Sequence, residues 1–294
     1  MRPGHQDALG PLQKHTTLYE ADILSQEQLK LALNMAAPDL VFHLAARPSV
    51  ALSWQDPEGT MITNVMGQLH LMEALWQLGM APRVLVVSSN EVYGAPVSEG
   101  ELPIKETNPL RPNNPYAVSK VAQDMMGYQY FLGRGMPVVR VRPFNHLGSG
   151  QSDEFAASGF ARQIAEAEQG QREPVIRVGN LDAIRDFSDV RDVVRGYYLA
   201  LTLGQPGAVY NLGSGKPTLV RSLLDMLLAQ SKTAVKVEQD PGRYRPVDVP
   251  CVYSDFGLIS AVTGWAPSYP LEQTLKDVLE YWRGRVGGDS SPLP

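Results

Sequence analysis

Apolar residues along this chain alternate between two spacings. Short unbroken runs predict buried strands at Asp39–Ala46, Val84–Val87, Met136–Arg142 and Ala208–Leu212. Between them lie longer stretches with a three-to-four residue rhythm. Ser25 opens one such helix, with Gln28 completing a capping-box pattern and Leu29, Leu33 and Ala36/Ala37 as its apolar face. Residues 56–79 form a second, with Met66, Leu69, Met72 and Leu75/Trp76 in a stripe and Gly79 at its end. Pro115 starts a third that runs to about Leu132. Strand, helix and strand at these intervals predict parallel βαβ crossovers. Thr17–Asp22 reads as a further short strand.

After residue 150 the rhythm changes. Helices are predicted over Phe155–Gln169, Val190–Leu203, Leu219–Gln230 and Leu271–Arg283. Short strands are predicted at Val175–Val178 and Val235–Glu238, with a turn at Asp182–Phe187. The pattern predicts a parallel α/β domain over 1–150, rejoined by 184–215, and a mixed α/β lobe over 151–183 and 216–286. The Gly/Ser/Pro-rich end at 287–294 is expected to be disordered.

Composition narrows the function. The 294 residues suffice for two lobes, and the net charge of -5 gives no global basic field for nucleic acid. No stretch approaches the length of a membrane span. The single cysteine, Cys251, allows no internal disulfide and fits a reducing cytoplasm.

Candidate chemistry centres on Asn114-Pro115-Tyr116-Ala117-Val118-Ser119-Lys120. With a helix starting at Pro115, Tyr116 and Lys120 lie one turn apart on one face. An ammonium beside a phenol favours phenolate, so Lys120 is expected to lower the Tyr116 pKa. Ser88 to Glu91 fall at the C-terminal end of the 84–87 strand, the end where open α/β sheets bind ligands. His43 reads as a satisfied strand histidine rather than a site residue.

The order Ser88-Ser89-Asn90-Glu91-Val92-Tyr93-Gly94, then Pro-Tyr-x-x-x-Lys, resembles the extended short-chain dehydrogenases/reductases of the epimerase/dehydratase group. That resemblance implies a Rossmann-like doubly wound sheet with a substrate lobe, an NADP or NAD cofactor, and Ser89, Tyr116 and Lys120 as the catalytic set. Glu91 takes the place of an additional acid/base. Asp22 and Ile23 match the adenine-contacting segment. Leu44, Ala45 and Ala46 match the strand end beside the dinucleotide, and Pro143 lies near the nicotinamide. Asn145, Arg185, Arg245 and Asp248 match positions that meet the substrate, the arginines because their forks suit phosphate. No metal is implied.

Pro143–Gln151, Phe160–Ala165 and Val178–Phe187 look most like GDP-4-keto-6-deoxy-D-mannose reductases, which make GDP-D-rhamnose. GDP-mannose 4,6-dehydratases are the alternative, because Glu91 is the glutamate they need. The family also implies a homodimer formed by the 56–79 and 115–132 helices, both rich in Met and Leu. One expected feature is absent: residues 1–15 contain only Gly4 and Gly10, without the G-x-x-G-x-x-G turn. The sheet is therefore expected to lack its first βαβ half-unit and the residue that separates NAD from NADP. A shortened record, or a truncated non-catalytic sugar-nucleotide-binding homologue, would account for this. Either way the chain is expected to bind a GDP-sugar better than a dinucleotide.

Overall fold

In a computed structural model, the described residues are 14–96, 98–244, 247 and 249–288. The central sheet is parallel, in the order β1 (Leu40–His43), β2 (Arg83–Val87), β3 (Val138–Pro143), β7 (Val209–Leu212). On one face Leu29 and Leu33 of α1 (Gln26–Ala36) pack with Leu71 and Leu75 of α4 (Gly67–Gln77) and Tyr130 of α5 (Pro115–Arg134) against Val84, Val86 and Val138. On the other, Val193, Tyr197 and Leu201 of α7 (Val190–Leu203), with Trp265, cover Leu85, Val139 and Val141. This period-two division of β2 and β3 is what a sheet covered on both faces requires.

Two small sheets complete the fold. β4 (Asn145–Leu147) and β6 (Ile184–Asp189) pair in parallel, and β8 (Pro217–Leu219) joins β6 antiparallel. β5 (Val175–Val178) pairs in parallel with β9 (Lys236–Gln239). Here α6 (Ala156–Glu168), α8 (Val220–Leu228) and α10 (Leu271–Val286) share a core of their own around Ile164, Leu224 and Leu279. α9 (Gly257–Thr263) lies against the β7 side of the central sheet through Ile259.

Several expectations are corrected. Thr17–Asp22 is not a strand. The strand expected at 39–46 is confined to Leu40–His43 and is half-buried rather than buried on both faces, because β1 is the sheet's edge among the described residues. The 56–79 helix begins earlier: α2 (Val50–Gln55) and α3 (Pro57–Met61) lead through a wide π turn at Ile62–Met66 into α4. The turn expected at 182–187 contains most of β6 instead. Its Arg185, Asp186, Ser188 and Asp189 are buried and polar, which hides the strand from a hydrophobicity pattern. Ser25 does cap α1, accepting the Gln28 N–H at 3.4 Å, but the Gln28 side chain bonds Asp22 N–H rather than closing a full capping box.

The central strand carries two arginines on its α5 face. Arg140 Nη1 and Arg142 Nε donate to opposite oxygens of Asp124, each at 2.7 Å, and all three side chains are buried. Arg142 Nη1 also donates to the Tyr93 hydroxyl at 3.0 Å, and that hydroxyl donates to Asn211 Oδ1 at 2.7 Å. One carboxylate thus joins α5 to β3 and, through Arg142, to the loop after β2. Removing the charge strands two buried guanidinium groups. Asp124→Asn is expected to lower the unfolding free energy by about 3–5 kcal/mol in a urea titration; a loss under about 1 kcal/mol would contradict the linkage.

Candidate active site

The site is built where β2 ends and α5 begins. β2 runs into a 3₁₀ turn at Asn90–Tyr93, capped by Ser89, whose Oγ accepts the Glu91 N–H at 3.2 Å. Gly94 follows at φ 62°, where an added Cβ would meet the Arg111 carbonyl oxygen at 2.0 Å. A side chain there is excluded on both counts. α5 starts at Pro115 with Asn114 as its cap, Oδ1 accepting the Ala117 N–H at 2.8 Å. A proline at the first helical position and an asparagine before it set this start locally.

These elements bring Ser89, Glu91, Tyr116 and Lys120 together. Ser89 and Glu91 both lie close enough to the Tyr116 phenol to act on its proton. Asn114 Nδ2 donates to Glu91 Oε2 at 3.1 Å. The Lys120 ammonium stands 5.8 Å from the Tyr116 ring centroid and donates to the Val87 carbonyl at 2.9 Å.

The expected lowering of the Tyr116 pKa does not follow from this geometry. Burial pushes the phenol well above its ordinary value, Ser89 pulls it back in part, and the Glu91 charge adds to the rise. Burial also brings Lys120 down to about 8. The cost of desolvating charge outweighs the pairing, so Tyr116 holds its proton tightly. His43, at the end of β1, is pushed down to about 4 by burial and by the Lys120 charge. It is neutral and stands 3.4 Å from the Gln123 amide nitrogen.

A cleft opens beside Glu91. Its polar wall is Asn90, Glu91, Asn113, Asn114 and Arg185, and its apolar wall is Val247, Val249 and Val252. Arg185 reaches it from β6, with Nη1 donating to the Ile184 carbonyl at 2.9 Å. Asn145 stands on the neighbouring strand, paired with Phe187 two residues beyond Arg185. Arg245 and Asp248 lie outside the described residues. Pro143 closes β3 beside Leu212. Leu44 and Ala45 are exposed beyond β1, whereas Asp22 and Ile23 precede α1, with Asp22 Oδ1 accepting the Leu24 N–H at 2.9 Å.

Three features of the site carry weak sequence signals. Asn114 is legible as a helix cap before Pro115, but not as a partner of Glu91. Asn90 and Asn113 look like ordinary turn residues. Asp186 anchors β6 by accepting from the backbone N–H groups and hydroxyls of Ser214 and Ser254, at 2.5 to 3.0 Å, and from Gly215 N–H at 3.0 Å. Partners so distant in sequence have no local signature. Among the described residues no cluster of acids, histidines and cysteines could hold a metal ion, and no helix is long and apolar enough to cross a membrane.

Comparison with known proteins places this arrangement. Residues 4–278 match the family model described as GDP-mannose 4,6 dehydratase. A GDP-6-deoxy-D-mannose reductase of Pseudomonas aeruginosa is 38% identical over 279 residues, covering 95% of this chain and 90% of that protein. A GDP-mannose 4,6-dehydratase of Vibrio cholerae is 28% identical over 293 residues, covering 89% of this chain and 77% of that one. The solved structure of RMD from Pseudomonas aeruginosa, complexed with NADPH, superposes with a TM-score of 0.86 at 36% identity, over 92% of this chain and 89% of that one. The match over nearly all of its length, at this level of identity, means that the chain belongs to the GDP-mannose 4,6-dehydratase family.

Proposed function

We propose that this chain is a reductase that uses NADPH or NADH to reduce a GDP-4-keto-6-deoxy-hexose at C4, giving GDP-D-rhamnose. The observation that carries the reading is the meeting of Ser89, Glu91, Tyr116 and Lys120 where β2 ends and α5 begins, with Glu91 bordering a cleft that Arg185 also lines. The similarity to a GDP-6-deoxy-D-mannose reductase supports it. The donor set fits a nicotinamide nucleotide: a buried ammonium with one N–H committed to Val87, a phenol beside it, and small or exposed apolar residues at the end of β1. Tyr116 and Lys120 would hold the ribose, Leu44, Ala45, Ala46 and Pro143 the neighbouring rings, and Asp22 and Ile23 the adenine end. When bound, that cofactor supplies the hydride.

The chain's own residues supply the remainder. Ser89 Oγ accepts the Glu91 N–H beside Tyr116, and its hydroxyl would polarise the C4 carbonyl. Tyr116 is kept protonated by burial and by the Glu91 charge, and so delivers a proton to the developing alkoxide. Glu91 faces the sugar. Arg185 and Asn145, with Arg245 and Asp248, would bind the diphosphate and nucleoside. The reaction occupies the seam between a cofactor domain over 1–150, with 184–215, and a substrate lobe over 151–183 and 216–286. A separate core around Ile164, Leu224 and Leu279 supports a second lobe, while Ile259 and Trp265 pack onto the central sheet. Low cysteine content supports a cytoplasmic setting. A homodimer is supported by exposed Ile62 and Met66 on the turn that packs against α5, and by exposed Val118, Met125 and Leu132 of α5 itself.

Glu91 also favours a second reading, dehydration of GDP-mannose by removal of the C5 proton. One assay separates the two. The purified chain is given the 4-keto sugar with NADPH, and separately GDP-mannose with NADP. Reduction of the keto sugar, falling about 10²–10⁴-fold in Tyr116→Phe, is expected. Dehydration of GDP-mannose that vanishes in Glu91→Gln, without reduction, would establish the second reading.

Lys120 gives a pH signature. The unfolded chain holds the lysine proton up to an ordinary value of 10.5, and the folded chain releases it near 8. Between those values the unfolded state binds more protons, so the fold gains stability as pH rises through the window. Lys120→Met, measured by urea midpoints, is expected to exceed wild type in stability near neutral pH. That advantage should shrink between 8 and 10.5; an advantage that is flat across the window contradicts the burial effect.

For the dimer, sedimentation is expected to show a two-chain species that becomes monomeric in Met125→Glu/Leu132→Glu. A wild-type monomer at micromolar concentration would refute the assignment.

A further inference from the structure

An asparagine that caps a helix has its amide oriented by the backbone it serves. Asn114 Oδ1 accepts the Ala117 N–H at 2.8 Å, so the carbonyl oxygen must face α5. Nδ2 then faces away from the helix, where it donates to Glu91 Oε2 at 3.1 Å and to Asn113 Oδ1 at 3.0 Å. Glu91 is held from its other end as well, through its N–H to Ser89 Oγ at 3.2 Å. Ser89 lies beside the Tyr116 phenol, and Tyr116 sits two residues after the cap. The bonds link the start of α5 to the Glu91 carboxylate and the Glu91 backbone to Ser89. Asn114 is 7% exposed. Capping alone does not require asparagine, since serine and aspartate cap equally well. What asparagine adds is a donor aimed at the carboxylate.

We propose that Asn114 is a positioning residue that fixes the Glu91 carboxylate at the edge of the cleft and couples it to the helix carrying Tyr116. It acts through Glu91 and does not itself meet the reacting atoms. The proposal rests on the reductase reading above. Among the described residues, the titratable and charged groups near Glu91 include Tyr116 from α5 and Arg185 from β6, which lines the same cleft. Aspartate at position 114 would keep the capping oxygen but set a second carboxylate against the first. Two carboxylates at that distance do not both stay ionised, and the pair titrates with one value raised.

Asn114→Asp and Asn114→Ser both preserve a cap, so both are expected to melt within a few degrees of wild type. The Glu91 carboxyl is titrated by carbon-13 NMR, its resonance identified by its loss in Glu91→Gln. In Asn114→Asp its midpoint is expected to rise by about 1 unit or more. The acid limb of the kcat profile should move with it. In Asn114→Ser, kcat is expected to fall about 10–100-fold with KM within about twofold and the profile unshifted, the signature of lost aim rather than lost binding. An unmoved Glu91 midpoint in Asn114→Asp overturns the proposal. So does wild-type kcat in both variants. Absence of turnover in the wild type would count against the reductase reading alone, because the NMR titration still decides whether Asn114 holds Glu91.

Discussion

Asp124 sits at the point on which the site depends. Two guanidinium groups from adjacent same-face positions of β3 converge on its carboxylate. It lies one helical turn after Lys120 and two after Tyr116 on α5. A buried charge shared between two partners is intolerant of misplacement, because any slip leaves an unpaired ion in low dielectric. The register of α5 on the sheet is therefore fixed by electrostatics as much as by shape. Shape acts in the same sense: Gly127 brings the helix so close that an added Cβ would meet Val138 and Val86 at 3.2 Å. The same Arg142 reaches Tyr93, whose hydroxyl burial pushes up to about 12, so this phenol is a neutral structural donor.

With the helix pinned, the balance at the cleft is set by desolvation. Tyr116 is raised and Lys120 lowered, each against the direction that pairing of the two would give. The resting site is an acid holding its proton beside an amine that loses its own readily. That is the arrangement wanted by a reaction whose product is an alcohol. The Glu91 charge reinforces it, so a glutamate that reads as a base by sequence comparison also serves to keep its neighbour an acid.

What was legible in the chain follows from the range of the interactions. The Rossmann-like parallel sheet, its two covering faces and the helices at 115 and 190 follow from local periodicity and caps, and they are found. Membership of the epimerase/dehydratase group was legible from the spacing of Ser89, Glu91, Tyr116 and Lys120. β6 was not, because its inward residues are polar and are satisfied by Ser214 and Ser254. Nor was the limited burial of β1, which depends on its neighbours in the sheet rather than on its own residues. The protonation of Tyr116 was misjudged for the same reason: helix spacing shows a partner, while burial is a property of the whole fold.

Asp186 carries a further consequence, in the order of folding events. Its carboxylate gathers partners 28 and 68 residues away, and the Tyr93–Asn211 bond spans 118. Each closes a long loop, and the entropy of that closure must be met before the bond returns anything. The helices rest on contacts within a turn or two, and Asp124 reaches Arg140 and Arg142 across only 16 and 18 residues. A chain emerging from synthesis thus assembles α5 and its anchor on β3 early and the cleft beside Arg185 late, with the anionic hub of β6 among the last contacts to form.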